Sequence, residues 1–166
     1  SLIGKRWFHM ECDCDDKVFE GAYEFNNKGS ADQPIQITLT PPPDLIVSNI
    51  TVPSSGLSGT NVPISFTVKN QGANAPQVNS WRDSIWVSTS NTFDRSMLVS
   101  MGYQNYYGGT SLGSSNTYLK NLNLSIPNGL VGNYYVYVKT DASRNVFEYI
   151  FENNNISRSA TAIPIT

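Results

Sequence analysis

Short stretches in which apolar and polar residues alternate occur along most of the chain. A period of two, combined with many β-branched and aromatic residues, is typical of β-strands that bury one face. Six stretches predict strands in this way: DLIVSNITV (44–52), VPISFTVKN (62–70), DSIWVSTS (83–90), MLVSMGY (97–103), NTYLKNLNLSI (116–126) and NYYVYVKTD (133–141). Turn-forming residues lie between them, as in YYGGTSLGSSN at 106–116. The spacing predicts an all-β sandwich or barrel.

The same alternation assigns side chains to the core. The predicted inward residues are Ile64, Phe66 and Val68, then Ile85 and Val87, and finally Tyr134, Val136, Val138 and Thr140. Trp86 then faces outward with Ser84 and Ser88, unless a bulge shifts the register. Only NVFEYIFE (145–152) approaches a helical pattern, and it covers about two turns.

Three consecutive prolines at 41–43 interrupt this pattern. Proline cannot donate the N–H groups that a strand interior needs, so we predict a stiff, extended linker there. The self-contained domain then covers residues 44–166, which leaves residues 1–40 to be explained.

Residues 2–38 align without a gap on residues 130–166, at an offset of 128. Twelve of the 37 aligned pairs are identical, among them Asp13/Asp141 and Glu20/Glu148. A gapless match of this length indicates an internal repeat. We therefore predict that residues 1–40 are the C-terminal strand pair of a preceding, truncated copy of the domain.

Four segments together resemble the CARDB family, the cell-adhesion-related domains found in bacteria. They are PDLIV (43–47), VPISFTVKNQGAN (62–74), WRDSIWVS (81–88) and GNYYVYVKTDASRNVFEYIFENNN (132–155). The resemblance covers about residues 43–166. It implies an immunoglobulin-like antiparallel β-sandwich of about seven strands, found in tandem arrays on secreted or surface-attached bacterial proteins. An extracellular or cell-surface location is therefore expected.

Composition excludes several classes of partner. Charged residues make up 14% of the chain and the net charge is −2, so no basic field exists to attract nucleic acid. No apolar run approaches the roughly 20 residues that a membrane span requires.

Catalytic residues are scarce. His9 is the single histidine and lies in the partial repeat, so a Ser/His/Asp or Cys/His arrangement cannot be built within 44–166. Glu148 and Glu152 are the nearest approach to a glycosidase-type carboxylate pair. Beside Asn153 and Asn154 they are better interpreted as exposed and capping groups of a structural loop. We expect a noncatalytic protein.

Calcium is the cofactor that the oxygen ligands of this chain would suit best. Two groups of residues carry such ligands: Asp141, Asn145, Glu148 and Glu152, and Asp83, Asn91 and Asp94. Neither has the EF-hand spacing, and Lys17 replaces Asn145 in the partial repeat. Structural loops are the favoured interpretation, with no cofactor; calcium held by Asp83, Asp94, Asp141 or Glu148 is the alternative.

The segment HMECDCDD (9–16) also resembles a metal site. The repeat aligns it with YVKTDASR (137–144), which contains neither Cys nor His, so the fold does not require these residues. A single strand end supplies at most two or three of the four ligands that zinc needs. We interpret the segment as a strand that runs into a loop.

Aromatic residues suggest a binding surface. Trp86, Tyr103, Tyr106 and Tyr107 cluster on the third and fourth strands and the loop after them. Trp81 and Trp86 are five residues apart and face opposite ways on a regular strand, so at least one is expected to be buried. The leading hypothesis is a noncatalytic adhesion, protein-interaction and spacer module. The alternative is a carbohydrate-binding module that assists an exported enzyme.

Residues 1–40 raise a further expectation. Trp7, Phe8, Ile35 and Ile37 would lie on strands without their native core. We expect this strand pair to cover its apolar face with another surface, which would produce a dimer or strand exchange.

Overall fold

The computed structural model describes residues 3–108 and 112–166. The chain divides into two compact units, residues 1–40 and 41–166. In the first unit the strands are β1 (Gly4–Arg6), β2 (His9–Glu11), β3 (Lys28–Ser30) and β4 (Ile35–Ile37). In the second they are β5 (Leu45–Thr51), β6 (Asn61–Asn70), β7 (Ser80–Ser88), β8 (Val99–Tyr107), β9 (Thr117–Ser125), β10 (Gly132–Lys139), β11 (Ile156–Arg158) and β12 (Ile163–Ile165).

The helices of the described residues are two short 3-10 turns, at Gly21–Tyr23 and Arg95–Met97. None of them has the length and apolarity to cross a membrane. NVFEYIFE (145–152) forms turns rather than a helix, and Tyr149 within it has a φ of 58°, which interrupts any helical run.

The second unit is an antiparallel β-sandwich. One sheet has the order β5-β6-β9, and the other has the order β11-β10-β7-β8 with β12 also paired to β10. Because β11 and β12 both pair with β10, at opposite ends, they act as one interrupted strand. In the described part of the chain the sandwich then has seven strands, which confirms the predicted fold class.

The core lies between the two sheets and follows the predicted alternation, except that Ser88 is 1% exposed although it was predicted to face outward; its Oγ accepts from the Ser90 N–H at 3.1 Å. Phe66, Ile85, Val136 and Val138 are fully buried. Trp81 is 2% exposed, as the five-residue spacing from half-buried Trp86 predicts. Burying these side chains supplies most of the driving force for the fold, at roughly 25 cal/mol per Å² of apolar surface.

Strand β8 is longer than predicted. It extends to Tyr107, so Tyr106 and Tyr107 lie in a strand and not in the glycine-rich loop to which the sequence assigned them. Tyr107 pairs with Ser80 and Tyr106 with Trp81 across the β7–β8 ladder. Cross-strand aromatic contacts stabilise the longer strand. Their effect outweighs the turn preference of the glycine-rich residues that follow.

The first unit is an antiparallel strand pair, in which β1 pairs with β4 and β2 with β3. An offset of 128 maps these strands onto the two ends of β10, onto β11 and onto β12. The register also repeats, since Gly4 pairs with Ile37 as Gly132 pairs with Ile165. The two aligned segments thus share the same strand pairing and register.

Candidate functional site

The loop between β10 and β11 carries the residues of the family motif. Asp141 begins it with a φ of 42° and is buried. Its Oδ1 accepts a hydrogen bond from the Asn145 N–H at 2.8 Å, and its Oδ2 accepts one from the Val146 N–H at 3.0 Å. Burial raises the pKa of Asp141, and the two backbone hydrogen bonds partly oppose that rise. Asp141 therefore closes a turn, as capping aspartates do.

Glu148 is fully buried, so the prediction of an exposed group is wrong. Its carboxylate accepts hydrogen bonds from the Leu45 N–H, at the start of β5, and from Asn155 Nδ2. Burial raises the pKa of Glu148 to about 7; the hydrogen bonds lower it, and the nearby Glu152 and Asp141 carboxylates raise it further. Glu148 ties the loop to the first strand of the sandwich.

We use the name Glu148 clamp for the hydrogen bonds that join the β10–β11 loop to the start of β5 at Asp44 and Leu45. The remaining motif residues add to this clamp. Glu152 is half-buried, and its Oε1 accepts a hydrogen bond from the Glu148 N–H at 2.9 Å. Asn154 Nδ2 donates to Asp44 Oδ1 at 2.9 Å, whereas Asn153 is exposed. The Glu148 and Glu152 carboxylates both accept hydrogen bonds from backbone N–H groups. This is the geometry of a structural loop and not of a glycosidase-type catalytic pair.

Two buried asparagines belong to the same clamp but were not among the predicted site residues. Asn155 is 3% exposed and binds Glu148. Asn70 is fully buried; its Oδ1 accepts from the N–H groups of Asp44 and Gly72, each at 3.0 Å. The sequence repeat could have identified Asn155, because the residue aligned with it at the offset of 128 is also asparagine.

The four aromatic candidates do not form one surface. Tyr106 packs against the core, stacked between Trp81 at 4.2 Å and Tyr118 at 4.3 Å between ring centroids. Its ring is half-buried because β8 turns it inward, and its predicted binding role stays a prediction. Tyr103 and Tyr107 are 52% and 76% exposed.

Tyr103 and Tyr107 carry modest polar contacts on the sandwich surface. The Arg82 guanidinium lies 4.0 Å from the centroid of the Tyr103 ring. Tyr107 Oη accepts from Asn105 Nδ2 at 3.0 Å. The Trp86 ring is edge-on to Phe93, with 6.3 Å between the ring centroids.

Asp83 belongs to a buried polar network in the interior. Tyr118 Oη donates to Asp83 Oδ2 at 2.6 Å and accepts from Trp81 Nε1 at 3.0 Å. Burial raises the pKa of Asp83 to about 6, with the Tyr118 and Thr140 hydrogen bonds opposing the rise. This carboxylate stabilises a packed arrangement of aromatic rings and is not available to a solvent cation.

The calcium candidates are not brought together. Asp83 is buried, while Asp94 lies exposed at the start of the 3-10 turn Arg95–Met97, where its Oδ1 accepts from the Ser96 N–H at 2.9 Å. Asp141 and Glu148 share a loop but already accept backbone or amide donors. Among residues 3–108 and 112–166, no group of three or more His, Cys, Asp or Glu side chains is placed to hold a metal ion.

The HMECDCDD segment behaves as a strand followed by a loop. His9 lies in β2 and its Nδ1 is 2.8 Å from Ser30 Oγ on β3. Cys12 and Cys14 are exposed free thiols. Asp13 caps the N–H groups of Lys17 at 2.9 Å and Val18 at 2.7 Å, as Asp141 does for its own loop.

A pocket of about 440 Å³ lies on the outer face of the four-stranded sheet. Trp86 of β7 and Lys139 of β10 form its floor, and residues 93–98 and 142–155 supply its walls. The other lining residues are Ser84, Phe93, Arg95, Leu98, Ala142, Arg144, Glu152, Asn153, Asn155 and Ile156. Its volume falls in the range of small-molecule pockets, roughly 300–1,000 Å³. Of the predicted binding residues, Trp86 is the one that this pocket contains.

Comparison with known proteins agrees with the fold. The crystal structure of the CARDB domain of the Pyrococcus furiosus PF1109 protein in complex with di-metal ions is 22% identical, with a TM-score of 0.53 over 77% of this chain and 97% of that chain. A solution NMR structure of the same domain is 20% identical, with a TM-score of 0.52 over 76% and 98%. No curated protein matches the chain. The CARDB family profile matches residues 42–159, a stretch that includes the β10–β11 loop and the Glu148 clamp. The chain belongs to the CARDB family, a family of noncatalytic domain modules.

Proposed function

We propose that this protein is a noncatalytic interaction and spacer module of a bacterial surface or secreted protein. The observation that carries the proposal is the structural repeat at an offset of 128, which reproduces strand register and loop caps in residues 3–38 and 131–166. Modules that recur along a chain gain avidity from multiple weak contacts and separate the sites that they carry. CARDB membership supports a noncatalytic role.

The way in which the linker joins the sandwich supports the spacer role. Asn74 Nδ2 donates to the Pro41 carbonyl at 2.7 Å, and the Gln71 N–H donates to the Asp44 carbonyl at 2.8 Å. Glu148 holds the next N–H, that of Leu45. Proline restricts φ, so a segment anchored at this many points is held as a stiff part of the second unit. A stiff segment of this kind suits a spacer better than a flexible Gly/Ser linker does.

The repeat also supports the proposal that residues 1–40 are the closing strands of another copy of this domain. Their positions Phe8, Met10 and Ile35 are 64%, 71% and 49% exposed. The equivalent residues of the second unit, Val136, Val138 and Ile163, are 0%, 0% and 1% exposed. The face that is core in one copy is thus uncovered in the other, and it fits the inner face of a sandwich of the same kind.

This uncovered face gives a direct test in solution. We expect the chain to associate at high concentration through residues 1–40, as measured by static light scattering. Changing both Phe8 and Met10 to Ser should reduce the association, while changing Tyr107 to Ser, an equally exposed aromatic of the second unit, should not. A monomer at all concentrations, with unchanged stability after deletion of residues 1–40, would contradict the idea.

The interaction role is tested by attachment under flow. Beads carrying the full chain should be retained on surfaces coated with bacterial polysaccharides or with proteins, without chemical conversion of the coating. Beads that carry the heat-denatured chain serve as the control. Absence of retention on every coating, or release of products from one of them, would count against the proposed function.

Carbohydrate binding is the second candidate, and one observation favours it. Half-buried Trp86 lies in the pocket described above, beside polar side chains on two loops. An aromatic ring next to several hydrogen-bonding groups is an arrangement suited to a sugar, whose ring has an apolar face and a polar edge.

A further inference from the structure

The charge of the Trp86 pocket differs from that of the whole chain. The net charge of the chain is −2, and residues 41–166 contain seven Lys and Arg against six Asp and Glu. Three of those seven cations, Arg95, Lys139 and Arg144, line the pocket together with the single carboxylate of Glu152. Cations are therefore concentrated in one concave region, where low-dielectric walls strengthen their attraction for anions.

The one carboxylate in the pocket is partly engaged by the protein, and its negative charge lies beside Arg144. Glu152 Oε2 lies 3.9 Å from Arg144 Nε, and its Oε1 accepts from the Glu148 N–H at 2.9 Å. Within the described ranges 3–108 and 112–166, neither Arg95 nor Lys139 has a carboxylate within salt-bridge distance. Two cations in the pocket thus form no salt bridge with the described residues, although the charge of Lys139 also acts on the nearby Asp141 carboxylate and lowers its pKa.

The apolar part of the pocket is held in place by contacts within the fold. Trp86 meets Phe93 edge-on, and Phe93 also lies 5.7 Å from the ring of Tyr137. Tyr137 is 3% exposed and donates from its hydroxyl to the Ser90 carbonyl at 3.0 Å. The loop that carries Phe93 is therefore fixed against the sheet, so the aromatic wall is present before any ligand arrives.

A buried hydrogen-bond acceptor in the pocket indicates which polar groups a ligand should carry. Asn155 lines the pocket and is 3% exposed, and its Oδ1 has no hydrogen-bond partner within the described part of the chain. Buried acceptors without partners cost about 1–3 kcal/mol, so a ligand that brings a donor gains affinity here. Glu152 is a second acceptor in the same wall. The ligand should therefore present hydroxyl donors as well as negative charge.

We propose that this pocket binds an acidic saccharide, a sugar of the uronic acid class. One rigid uronate ring combines an apolar face for Trp86, hydroxyl donors for Asn155 and Glu152, and a carboxylate for Lys139 and Arg95. An acidic peptide supplies carboxylates but lacks hydroxyl donors on the same rigid ring. The proposal rests on the carbohydrate-binding candidate and specifies its site and its ligand class.

The test is calorimetric titration of the full chain with trigalacturonic acid and with its trimethyl ester, which has the same rings without the charge. We expect the acid to bind at low salt, more weakly at high salt, and at least about tenfold more tightly than the ester. Lys139→Gln and Arg95→Gln should each weaken binding by about tenfold. Lys69→Gln makes the same change on β6, in the other sheet, and should leave binding unchanged.

Trp86→Ala should abolish binding of the acid. If Trp86→Ala fails to fold, the weaker binding expected for Lys139→Gln tests the pocket instead. The proposal is overturned if no heat is released with the acid, if the ester binds equally, or if the control variant weakens binding as much as the pocket variants. It is also overturned if a short oligoglutamate competes with equal affinity and the same variant dependence, since the ligand class would then be wrong. Bead attachment in the flow assay without uronate binding would reject the pocket proposal and leave the interaction function standing.

Discussion

Glu148 gives the sandwich a pH dependence that a single substitution should remove. Its carboxyl is fully buried against Leu45 and Asn155, and its pKa is raised from 4.5 to about 7, chiefly by burial. The folded protein therefore keeps this proton at pH values where the unfolded chain has lost it. The free energy of unfolding should fall as the pH rises from about 4.5 to about 7 and level off above that.

The size of the effect follows from the difference between the two pKa values. At roughly 1.4 kcal/mol for each tenfold change in proton affinity, Glu148 contributes about 3 kcal/mol across this range. Glu148→Gln keeps an oxygen that can accept from the Leu45 N–H but cannot ionise. We expect the stability of the variant relative to the wild type to improve by about 3 kcal/mol between pH 4.5 and pH 7.5.

The assay is urea denaturation at several pH values in this range, followed by tryptophan fluorescence. The two proteins also share Asp83, whose pKa is raised to about 6, so subtraction of the curves isolates Glu148. Glu20→Gln is the matched control, because Glu20 is the counterpart of Glu148 at the 128 offset and is exposed. If the free energies of unfolding of the wild type and of Glu148→Gln change with pH in parallel, the proposed burial of an ionisable carboxyl at position 148 is wrong.

Three further predictions concern the clamp and the loops. Gly72→Ala should lower the free energy of unfolding by about 3 kcal/mol in urea, because a Cβ there would lie 2.5 Å from the Asp44 nitrogen; wild-type stability would contradict this close packing. Asp141→Ala should cost about 2 kcal/mol through the loss of two backbone hydrogen bonds, whereas Asp13→Ala should leave the unfolding of residues 41–166 unchanged; equal effects would refute the distinction between the copies. EDTA should not shift the thermal melting temperature, since the calcium candidates are engaged in caps or buried; a clear downward shift would show a bound cation.

Much of the fold was predictable because it depends on a strong, short-range pattern. Alternation in β6, β7 and β10 identified the inward residues correctly, since one register places their apolar side chains between the sheets. The end of β8 was predicted too early, because Gly108 and the residues that follow favour a turn. Tertiary stacking of Tyr106 on Trp81 and Tyr118 outweighs that local signal.

The site was less predictable, for a physical reason. Burial of Glu148 depends on the start of β5, about a hundred residues away, and no local spacing reports such a contact. The same holds for the pocket, which needs the sheet face at Trp86, the loop at Phe93 and the loop at Asn155 to meet. Local hydrogen bonds, such as those of Asp141, were within reach because the partners lie four and five residues away.

Residues 2–38 and 130–166, which we propose to be two copies of the same strands, share some features and differ in others. The caps recur, since Asp13 and Asp141 accept hydrogen bonds from equivalent backbone N–H groups, although Asp13 is half-buried in a strand pair and Asp141 is buried in a sandwich. These caps are therefore encoded locally and define the loop in any copy. The cations of the pocket do not recur, because Glu11 stands in place of Lys139 and Asp16 in place of Arg144.

An exchange of two cations for two carboxylates reverses the charge at the same positions of the same fold. If the β10–β11 loop that both copies share bound the ligand, both copies in one chain would bind the same ligand. If the Trp86 pocket binds it, the copies must differ in the ligand that they bind. Grafting Glu11 and Asp16 onto the second unit, as Lys139→Glu with Arg144→Asp, should leave thermal stability within about 1 kcal/mol because both positions are at least partly exposed. The same variant should lose trigalacturonic acid binding completely, and retained binding would place recognition elsewhere on the sandwich.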